Sequence, residues 1–445
     1  MATFLFTSWP FAGHLYPLIA VAHALRARGH ACVFYTGPGA CRTVRDEQFE
    51  CHAFTRVDED QARRTMLSTA SGASPTRDLL SMRGRMRRWL VDTIPQQLDD
   101  LRPLIARTHP DVIVTEPTMW SPILILHEST GIPVAVSSFV PGCMIPGRDA
   151  PPFGLGLPPP RSASTRLLSR LATVGNDLFA LDVRRGVNAL RARHGLAPIT
   201  GSVTEHMGGL PLYLVPSVRE FDYNRRDLPP SVHYVGPCLW NRPRAADAPG
   251  WLDRIPRGRP WVHVTEGTFH GGEPFLLKTA IRGLADLPVE VIITTGTDRD
   301  PREVVPDVSA PNLHVTRWVS HGDLFPLTSA VVTTGGAGTV LASLAAGCPL
   351  VIVPTEFDKP DNARRVEASG AGLSLAPRRC TPRRLRAAVE RILSHPAFRQ
   401  NAERLATALA RPGGARRAAE LLERLASRDV ADGDLRSGQF AEVVR

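Results

Sequence analysis

The chain has 445 residues, 43% of them hydrophobic, and a formal net charge of +10 at pH 7, which allows two or three domains with full cores. The arginines lie in separate segments with few aromatic residues and no nucleic-acid motif among them, so solvated helix faces explain the charge and we expect no nucleic-acid partner. No apolar stretch is as long as a membrane-spanning helix needs and the first residues resemble a strand rather than a leader, so we expect a cytoplasmic protein without stable membrane insertion.

The first 35 residues form a βαβ pattern. Thr3 to Thr7 is a predicted strand, a helix is expected from near Pro17 with apolar positions at helical spacing from Leu18 to Leu25, and Cys32 to Tyr35 is the second strand. Such a unit predicts a parallel sheet with a right-handed crossover. Further strands are predicted at Asp111 to Glu116, Pro133 to Ser138 and Leu212 to Val215.

Two segments interrupt this first series. Thr65 to Thr93 is amphipathic with an arginine-rich face and is predicted to be helical from Thr76 on. Phe139 to Pro160 is rich in proline and glycine yet apolar, which is an unusual combination for a solvated loop. Lining a cleft explains it, and so does tight packing on its own domain.

A polar, proline-rich stretch from 241 to 259 is predicted to be a linker. After it a second alternating series begins, and from Pro382 to Ala426 the chain is expected to be helical with one break at Arg411 to Gly414. The predicted fold class is therefore α/β, with two doubly wound parallel-sheet domains that face each other across a cleft. The predicted domains are 1–240, the linker 241–259, 260–426, and a tail 427–445.

A glycine-rich turn lies in the middle of the second series. Ala330 to Thr334 suits a buried strand, Gly335, Gly336 and Gly338 allow a tight turn, and a helix is expected from Thr339 to Ala346. A helix that starts on glycines offers free N–H groups and a positive dipole end to a phosphate. An ordinary strand-to-helix turn explains the same residues equally well.

Seven cysteines are scattered along the chain and form no C-x-x-C pair. This pattern favours reduced thiols and argues against structural zinc. We expect each cysteine to be a small core residue.

Several segments in order resemble one known family: FAGHLYPLIAVAHAL, PPFGLGLP, VHYVGP, VHVTEGT, and the stretch from Leu313 to Gly372. Together they identify the chain as similar to the inverting, Leloir-type glycosyltransferases of the UDP-glycosyltransferase superfamily, and within it to the bacterial antibiotic and macrolide group. The resemblance covers nearly the whole chain. It implies a GT-B fold that holds the acceptor on the N-terminal domain and a nucleoside-diphosphate sugar on the C-terminal one.

The resemblance also assigns the donor site. Trp318 matches the aromatic residue that stacks on the base, with the Val319 backbone at the base edge, although a strand-end tryptophan is also a common core residue. Asp358 matches the acid that holds the sugar hydroxyls, with Lys359 beside it, although an aspartate before a helix also serves as a cap. The diphosphate positions are Thr268, Thr334, Gly335, Gly336, Ala337, Gly338 and Thr339.

In the N-terminal domain the resemblance makes His14 the general base and Glu116 the acid that orients it. A neutral imidazole is a good base near neutral pH, and a carboxylate on its far nitrogen fixes the tautomer. The expected reaction is attack of an acceptor hydroxyl on the anomeric carbon, opposite the departing diphosphate, with inversion. No metal-bridging acidic pair is evident, so we expect neither a metal nor a cofactor. The expected acceptor-binding residues are Trp9, Phe11, Phe139, Met144 and Phe153.

Five positions depart from the family pattern. Thr334 occupies the place of a histidine that contacts the diphosphate, and its hydroxyl still offers one hydrogen bond. Ala342 replaces the glutamate that binds the ribose in many UDP-sugar enzymes, which leaves dTDP and UDP both open. Lys359 replaces a glutamine, Glu116 an aspartate, and His321 a glutamine near the base.

We therefore expect a hexosyl- or deoxysugar transferase that acts on a small apolar natural product such as a polyketide, macrolide or aromatic aglycone. Two alternatives stay open: a catalytically silent nucleotide-binding partner protein, and a sugar-nucleotide epimerase of the same fold. A monomer and a homodimer are both compatible with the sequence.

Overall fold

Two parallel β-sheets organise the chain in the computed structural model, which describes residues 1–67, 75–201, 203–240, 250–268, 273–296, 299–304 and 310–427. The N-terminal sheet has the strand order β3-β2-β1-β4-β5-β6-β7. Its strands are β1 Thr3–Thr7, β2 Ala31–Thr36, β3 Glu50–Ala53, β4 Val112–Thr115, β5 Val134–Ser137, β6 Leu212–Val215 and β7 Val232–Tyr234.

The C-terminal sheet repeats the same winding with six strands in the order β10-β9-β8-β11-β12-β13. Its strands are β8 Trp261–Thr265, β9 Glu290–Thr294, β10 Leu313–Thr316, β11 Ala330–Thr333, β12 Leu350–Ile352 and β13 Gly372–Ser374. The prediction of two doubly wound α/β domains is confirmed.

Helices cover both faces of each sheet. Those of the N-terminal half are α1 Ala12–Arg26, α2 Pro38–Asp46, α3 Glu59–Leu67, α4 Pro75–Leu90, α5 Ile94–Thr108, α6 Trp120–Thr130, α7 Ala163–Phe179, α8 Leu181–Arg193 and α9 Val203–Gly208. Those of the C-terminal half are α10 Phe275–Leu284, α11 Pro301–Val304, α12 His321–Leu324, α13 Ala337–Ala345, α14 Lys359–Ser369, α15 Pro382–Ser394, α16 Pro396–Ala410 and α17 Ala415–Ala426. Among the described helices, none has both the length and the apolar character to cross a membrane.

The central strands are apolar on both sides because each lies between two helical layers. In the N-terminal sheet Leu5 stands opposite Val33 on β2 and Ile113 on β4. In the C-terminal sheet Val264 pairs with Ile293 and Val332 in the same way. Parallel strands end at the same edge of their sheet, so the loops that follow them gather there, where ligands of such folds bind.

Helix α1 starts earlier than its sequence predicts. We expected it from near Pro17, but the amides of His14 and Leu15 both donate to the Phe11 carbonyl and close a first turn ahead of the proline. Pro17 costs the helix one hydrogen bond, and the burial of Leu15, Leu18 and neighbouring apolar residues offsets that loss. His14 therefore lies in the first helical turn rather than in a loop.

The last helix, α17, packs on the N-terminal domain, whereas the sequence boundaries assigned residues up to 426 to the C-terminal domain. Its buried Leu422 joins the core cluster under β1 and α1, and Glu423 pairs with Arg28 and, at 3.0 Å, with His30 Nε2. The amphipathic pattern of this helix shows that one face is buried but not which domain buries it. Residues 241–249 of the predicted linker and 428–445 of the predicted tail lie outside the described residues.

The prediction of seven reduced thiols is wrong for two of them. Cys41 on α2 and Cys51 on β3 form a disulfide with Cα atoms 5.6 Å apart, because the helix packs directly against the strand that follows it. A separation of ten residues gives no C-x-x-C signal, so the pair was not recognised in the sequence. The other five cysteines are free thiols: Cys32, Cys143, Cys238, Cys348 and Cys380.

Candidate active site

A cleft of about 1360 Å³ opens where the carboxyl ends of the two sheets face each other. The N-terminal domain contributes the first turn of α1, the loop after β4 and the segment from Phe139 to Leu155. The C-terminal domain contributes the turns after β8, β10 and β11 and the start of α14. The cleft is therefore built by both domains, and its volume exceeds what one small ligand requires.

His14 and Glu116 meet on the N-terminal wall of this cleft. His14 Nδ1 lies 3.3 Å from Glu116 Oε1, and the histidine side chain is 14% exposed while the carboxylate is fully buried. The ring is not aligned for a strict hydrogen bond, and contacts of this kind commonly tighten when a substrate binds. Glu116 is itself fixed, because it accepts hydrogen bonds from the Thr118 amide at 2.6 Å and the Trp9 amide at 3.4 Å.

Two aromatic side chains hold the His14 ring. Phe139 stacks on it with ring centroids 3.8 Å apart and planes at 18°, and Phe11 meets it edge-on at 5.4 Å. With Nδ1 directed at Glu116, Nε2 is the nitrogen left to meet a ligand in the cleft. The arrangement has the parts of a general base: an imidazole, a buried carboxylate behind it, and a fixed ring plane.

The glycine-rich turn forms part of the opposite wall. Gly335 has φ +95°, and an added Cβ there would lie 2.7 Å from Ile352, so only glycine fits. Gly336 and Gly338 have open space where a Cβ would be, and both line the cleft together with Ala337 and Thr339. No side chain caps α13, so its first amides point into that space with the positive end of the helix dipole.

Thr334 does not take part in this wall. It is 3% exposed, and its hydroxyl donates to the Glu266 carbonyl at 2.9 Å. The expectation that this hydroxyl donates to a diphosphate is therefore wrong in this structure, because a buried hydroxyl satisfies itself on the nearest carbonyl. Gly335 shapes the turn but also does not line the cleft.

Asp358 and Lys359 stand at the start of α14 beside the glycine turn. The Asn362 amide ties the two features together, since it donates to the Gly335 carbonyl at 2.9 Å and to Asp358 Oδ2 at 2.7 Å. Burial raises the pKa of the Asp358 carboxyl, opposed by Asn362, by Lys359 and, from across the cleft, by His14. The last effect shows that the base candidate and this acid are near each other. Asn362 lies in no motif that would mark it in the sequence.

Lys359 is 6% exposed and lines the cleft, with Nζ 3.0 Å from Thr355 Oγ1. Burial lowers the pKa of its ammonium, while Asp358, Glu356 and Glu266 oppose that shift. The Cβ of Lys359 lies 3.6 Å from the position that a Cβ added to Gly335 would take, so the lysine side chain starts beside the glycine turn.

The residues expected to bind the nucleotide base also reach the cleft, as does one of the residues expected to bind the diphosphate. Trp318 and Val319 are half-buried and line it just after β10, and Thr268 lines it after β8. His321 follows, stacked on Phe325 with centroids 4.4 Å apart. Burial lowers the pKa of His321 to about 4, so the ring is neutral at physiological pH.

The lowered pKa of His321 predicts a loss of stability in acid. The folded-state pKa of about 4 lies below the ordinary 6.5, so the unfolded chain binds the proton first and stability falls as pH drops from 6.5 towards 4. We expect His321→Asn to lose less unfolding free energy than the wild type between pH 7.5 and 5, measured by urea denaturation. His263, whose pKa burial also lowers, is present in both proteins. Parallel pH dependence of the two proteins would contradict this prediction.

Four of the five expected acceptor residues line the cleft: Phe11, Phe139, Met144 and Phe153. Trp9 does not, and that expectation is wrong. It is fully buried, with its ring packed on Phe54 and Trp89, because the start of the loop turns inward under β1. Three residues that were not predicted, Asn176, Phe179 and Arg184 on α7 and α8, line the N-terminal side of the same cleft. Their amphipathic pattern is that of any surface helix and gives no signal for a cleft.

Among the described residues, no group of three or more His, Cys, Asp and Glu side chains is placed to hold a metal ion.

The chain is similar to known proteins along most of its length. The family model for the C-terminal domain of erythromycin biosynthesis protein CIII-like proteins matches residues 278–424. The chain is 35% identical over 415 residues to 4'-demethylrebeccamycin synthase of Lentzea aerocolonigenes, a match that covers 91% of this chain and 94% of that protein.

Solved structures show the same fold. The glycosyltransferase of kitacinnamycin superposes with a TM-score of 0.71 at 24% identity, covering 95% of this chain and 99% of the other. Glycosyltransferase VinC, solved in complex with dTDP, gives a TM-score of 0.67 at 20% identity over 96% of this chain and 100% of the other.

Proposed function

Because this chain belongs to the GT-B glycosyltransferases of the antibiotic-biosynthesis type, we propose that it moves a sugar from a dTDP-linked donor to a hydroxyl of a small, apolar natural-product acceptor, with inversion. One observation carries the proposal. His14, with Glu116 behind it, lines the same cleft as the open Gly336–Thr339 turn and Asp358. The residues that we propose as base, phosphate cradle and sugar-binding acid therefore line one cleft.

In this mechanism the acceptor hydroxyl lies against His14 Nε2. As its oxygen attacks the anomeric carbon, the proton moves to Nε2 and Glu116 stabilises the resulting imidazolium through Nδ1. The bond from the anomeric carbon to the diphosphate breaks on the opposite face, through an oxocarbenium-like transition state. The negative charge that grows on the diphosphate is stabilised by the first amides of α13 and by Lys359.

The acceptor class follows from the N-terminal wall of the cleft. Phe11 and Phe139 contact the His14 ring, and Met144 and Phe153 line the same cleft with further apolar surface. Such a surface favours a flat or aliphatic aglycone over a sugar or peptide acceptor. Binding of an apolar aglycone is stabilised by the burial of apolar area, whereas these side chains offer few hydrogen-bond partners to a polar ligand.

Ala342 favours dTDP over UDP. It lines the cleft one helical turn after Gly338, at the place where the resemblance puts a ribose-binding glutamate. An alanine accepts no hydrogen bond from a 2'-hydroxyl, which the deoxyribose of dTDP lacks. The proposal is consistent with VinC, a fold relative that was solved with dTDP.

We therefore expect Ala342→Glu to shift nucleotide preference towards UDP by about tenfold, the scale of one hydrogen bond to a charged group. Titration calorimetry with UDP and dTDP measures the ratio of the two dissociation constants. Ala345→Glu, on the same helix but away from the cleft, is the matched control and should keep the wild-type ratio. An unchanged ratio in Ala342→Glu means that residue 342 does not face the ribose.

The proposed function is tested by incubating the purified protein with dTDP- and UDP-sugars and a panel of hydroxylated aglycones, with products identified by mass. Glycosylated aglycone supports the proposal. A melting-temperature shift with dTDP but no product from any pair supports a silent nucleotide-binding partner instead. Conversion of the donor sugar to its epimer without transfer supports an epimerase.

A further inference from the structure

The loop of residues 139–160, which we call the acceptor loop, is hydrogen-bonded to α14, the helix that begins with Lys359. Asp361, on the first turn of α14, is 4% exposed and accepts the Gly154 amide at 2.8 Å on Oδ2 and the Gly156 amide at 2.7 Å on Oδ1. Arg364 returns a hydrogen bond from Nε to the Gly156 carbonyl at 2.8 Å. Gly156 has φ +59°, and a Cβ there would lie 2.6 Å from Pro360. The backbone of the loop is therefore in direct contact with α14 of the other domain.

One turn further along α14, a buried ion pair joins the same two parts. Arg365, 4% exposed, donates from Nε to Asp222 at 2.9 Å, and Asp222 accepts the Cys143 amide at 2.6 Å on its other oxygen. The Arg365 guanidinium also lies 4.7 Å from the Tyr223 ring centroid. A charge-assisted pair buried this deeply is costly to break when one partner is removed.

These contacts connect the residues that we assign to the donor with the loop that contacts the proposed base. The start of α14 bears Asp358 and Lys359, which we assign to the donor, and its next turns bear Asp361 and Arg365. The loop that they hold begins at Phe139, whose ring stacks on His14. A short chain of contacts thus runs from the donor side of the cleft to the base.

We propose that Asp361 and the Arg365–Asp222 pair are positioning residues that hold the acceptor loop, and with it Phe139 and His14, at a fixed place over the donor sugar. We call these three residues the loop clamp. This inference rests on the proposed function for its reaction, but not for its geometry. Loss of the clamp leaves the donor bound and lets the loop tip move, so that water competes with the acceptor for the activated sugar.

The rest of the loop has its own attachment, so a clamp variant is expected to fold. The Arg225 guanidinium donates from Nη1 to the Ile145 carbonyl at 3.1 Å, and the Asp149 amide donates to Asp227 at 3.0 Å, both within the N-terminal domain. Asp361 binds the tip of the loop at Gly154 and Gly156, whereas the Arg365–Asp222 pair binds the start of the loop through the Cys143 amide. Asp361→Asn keeps the side-chain shape but offers one acceptor oxygen to two amides.

Hydrogen exchange tests the clamp without turnover. In Asp361→Asn the peptide that contains Gly154 and Gly156 should exchange on the order of tenfold faster than in the wild type, the effect of losing about one hydrogen bond to a charged group. Bound dTDP should slow the exchange of this peptide in the wild type and not in the variant. Equal exchange in the two proteins, or the same response to dTDP, overturns the proposal.

Turnover gives the second readout: the ratio of sugar transfer to donor hydrolysis at saturating donor. We expect this ratio to fall about tenfold or more in Asp361→Asn, with a raised acceptor KM. The control is Glu128→Gln, which removes the partner of the buried Arg191 (2.7 Å) away from the cleft and destabilises without touching the loop. If both variants lower the melting temperature alike and neither changes the ratio, the clamp is only structural.

Failure of the proposed function is a separate outcome. A wild-type protein that transfers no sugar to any aglycone contradicts the proposed function. The clamp is then tested only by the effect of dTDP on hydrogen exchange in the peptide that contains Gly154 and Gly156.

Discussion

Replacing His14 with alanine is expected to lower kcat of sugar transfer by about 10²–10⁴-fold, the usual contribution of a general base. The reason is that no other described imidazole shares the cleft wall with Phe139 and Phe11, so nothing replaces Nε2 as proton acceptor. Donor binding should be unchanged, because the donor contacts that we propose lie on the C-terminal domain. Steady-state kinetics and a dTDP melting shift measure the two effects separately.

A matched control lies on the same helix. His23 is on α1 but away from the cleft, 2.7 Å from Glu47, so His23→Ala tests the cost of removing a paired histidine there. It should keep nearly full kcat. Glu116→Gln should lie between the two, because the neutral amide no longer stabilises the imidazolium. If His14→Ala keeps the wild-type rate, the assigned base is wrong.

Replacing Lys359 with methionine is expected to lower kcat by about 10²-fold and to weaken dTDP binding, because the proposed role of its ammonium is to stabilise the charge that grows on the leaving diphosphate. Thr334 brings no charge and directs its hydroxyl to the Glu266 carbonyl, whereas the side chain of Lys359 starts beside Gly335 and carries an ammonium into the cleft wall. We infer that the charge for the diphosphate comes from the start of α14. Kinetics at saturating donor and calorimetry with dTDP measure the effect.

The chain contains only two lysines, which supplies the control. Lys278 lies exposed on α10 and pairs with Glu273, so Lys278→Met should leave kcat unchanged. The double variant Thr334→His, Lys359→Met asks whether a histidine at the family position restores the rate. A Lys359→Met protein with the wild-type kcat and dTDP affinity would show that Lys359 only fills space.

Much of the fold was predictable because local patterns determine it. The apolar runs of β1, β4 and β11 and the helical spacing of α1 depend only on neighbouring residues and on burial on both sides of a parallel sheet. What failed depends on distant partners. Nothing near α17 says that it packs on the N-terminal domain, and nothing near Cys41 says that Cys51 lies beside it.

The same division holds at the site. His14, Glu116 and the Gly336–Thr339 turn were predicted because they occur in ordered motifs. The structure places His14 and the turn around one cleft, with Glu116 buried behind His14. Trp9 was misassigned because its neighbours in sequence line the cleft while its own side chain points into the core. Asp361 and Arg365 were not recognised because their partners are distant in sequence. Asp361 binds the backbone amides of the loop, and Arg365 binds Asp222, which is 143 residues away.

The anomeric configuration of the product tests the central claim most directly. A glycoside made by the wild-type protein from a donor of known configuration is analysed by the proton coupling constant at its anomeric carbon. Attack by an acceptor deprotonated at His14, opposite the diphosphate held at α13, predicts the inverted configuration. A product with the donor's own configuration would contradict the account.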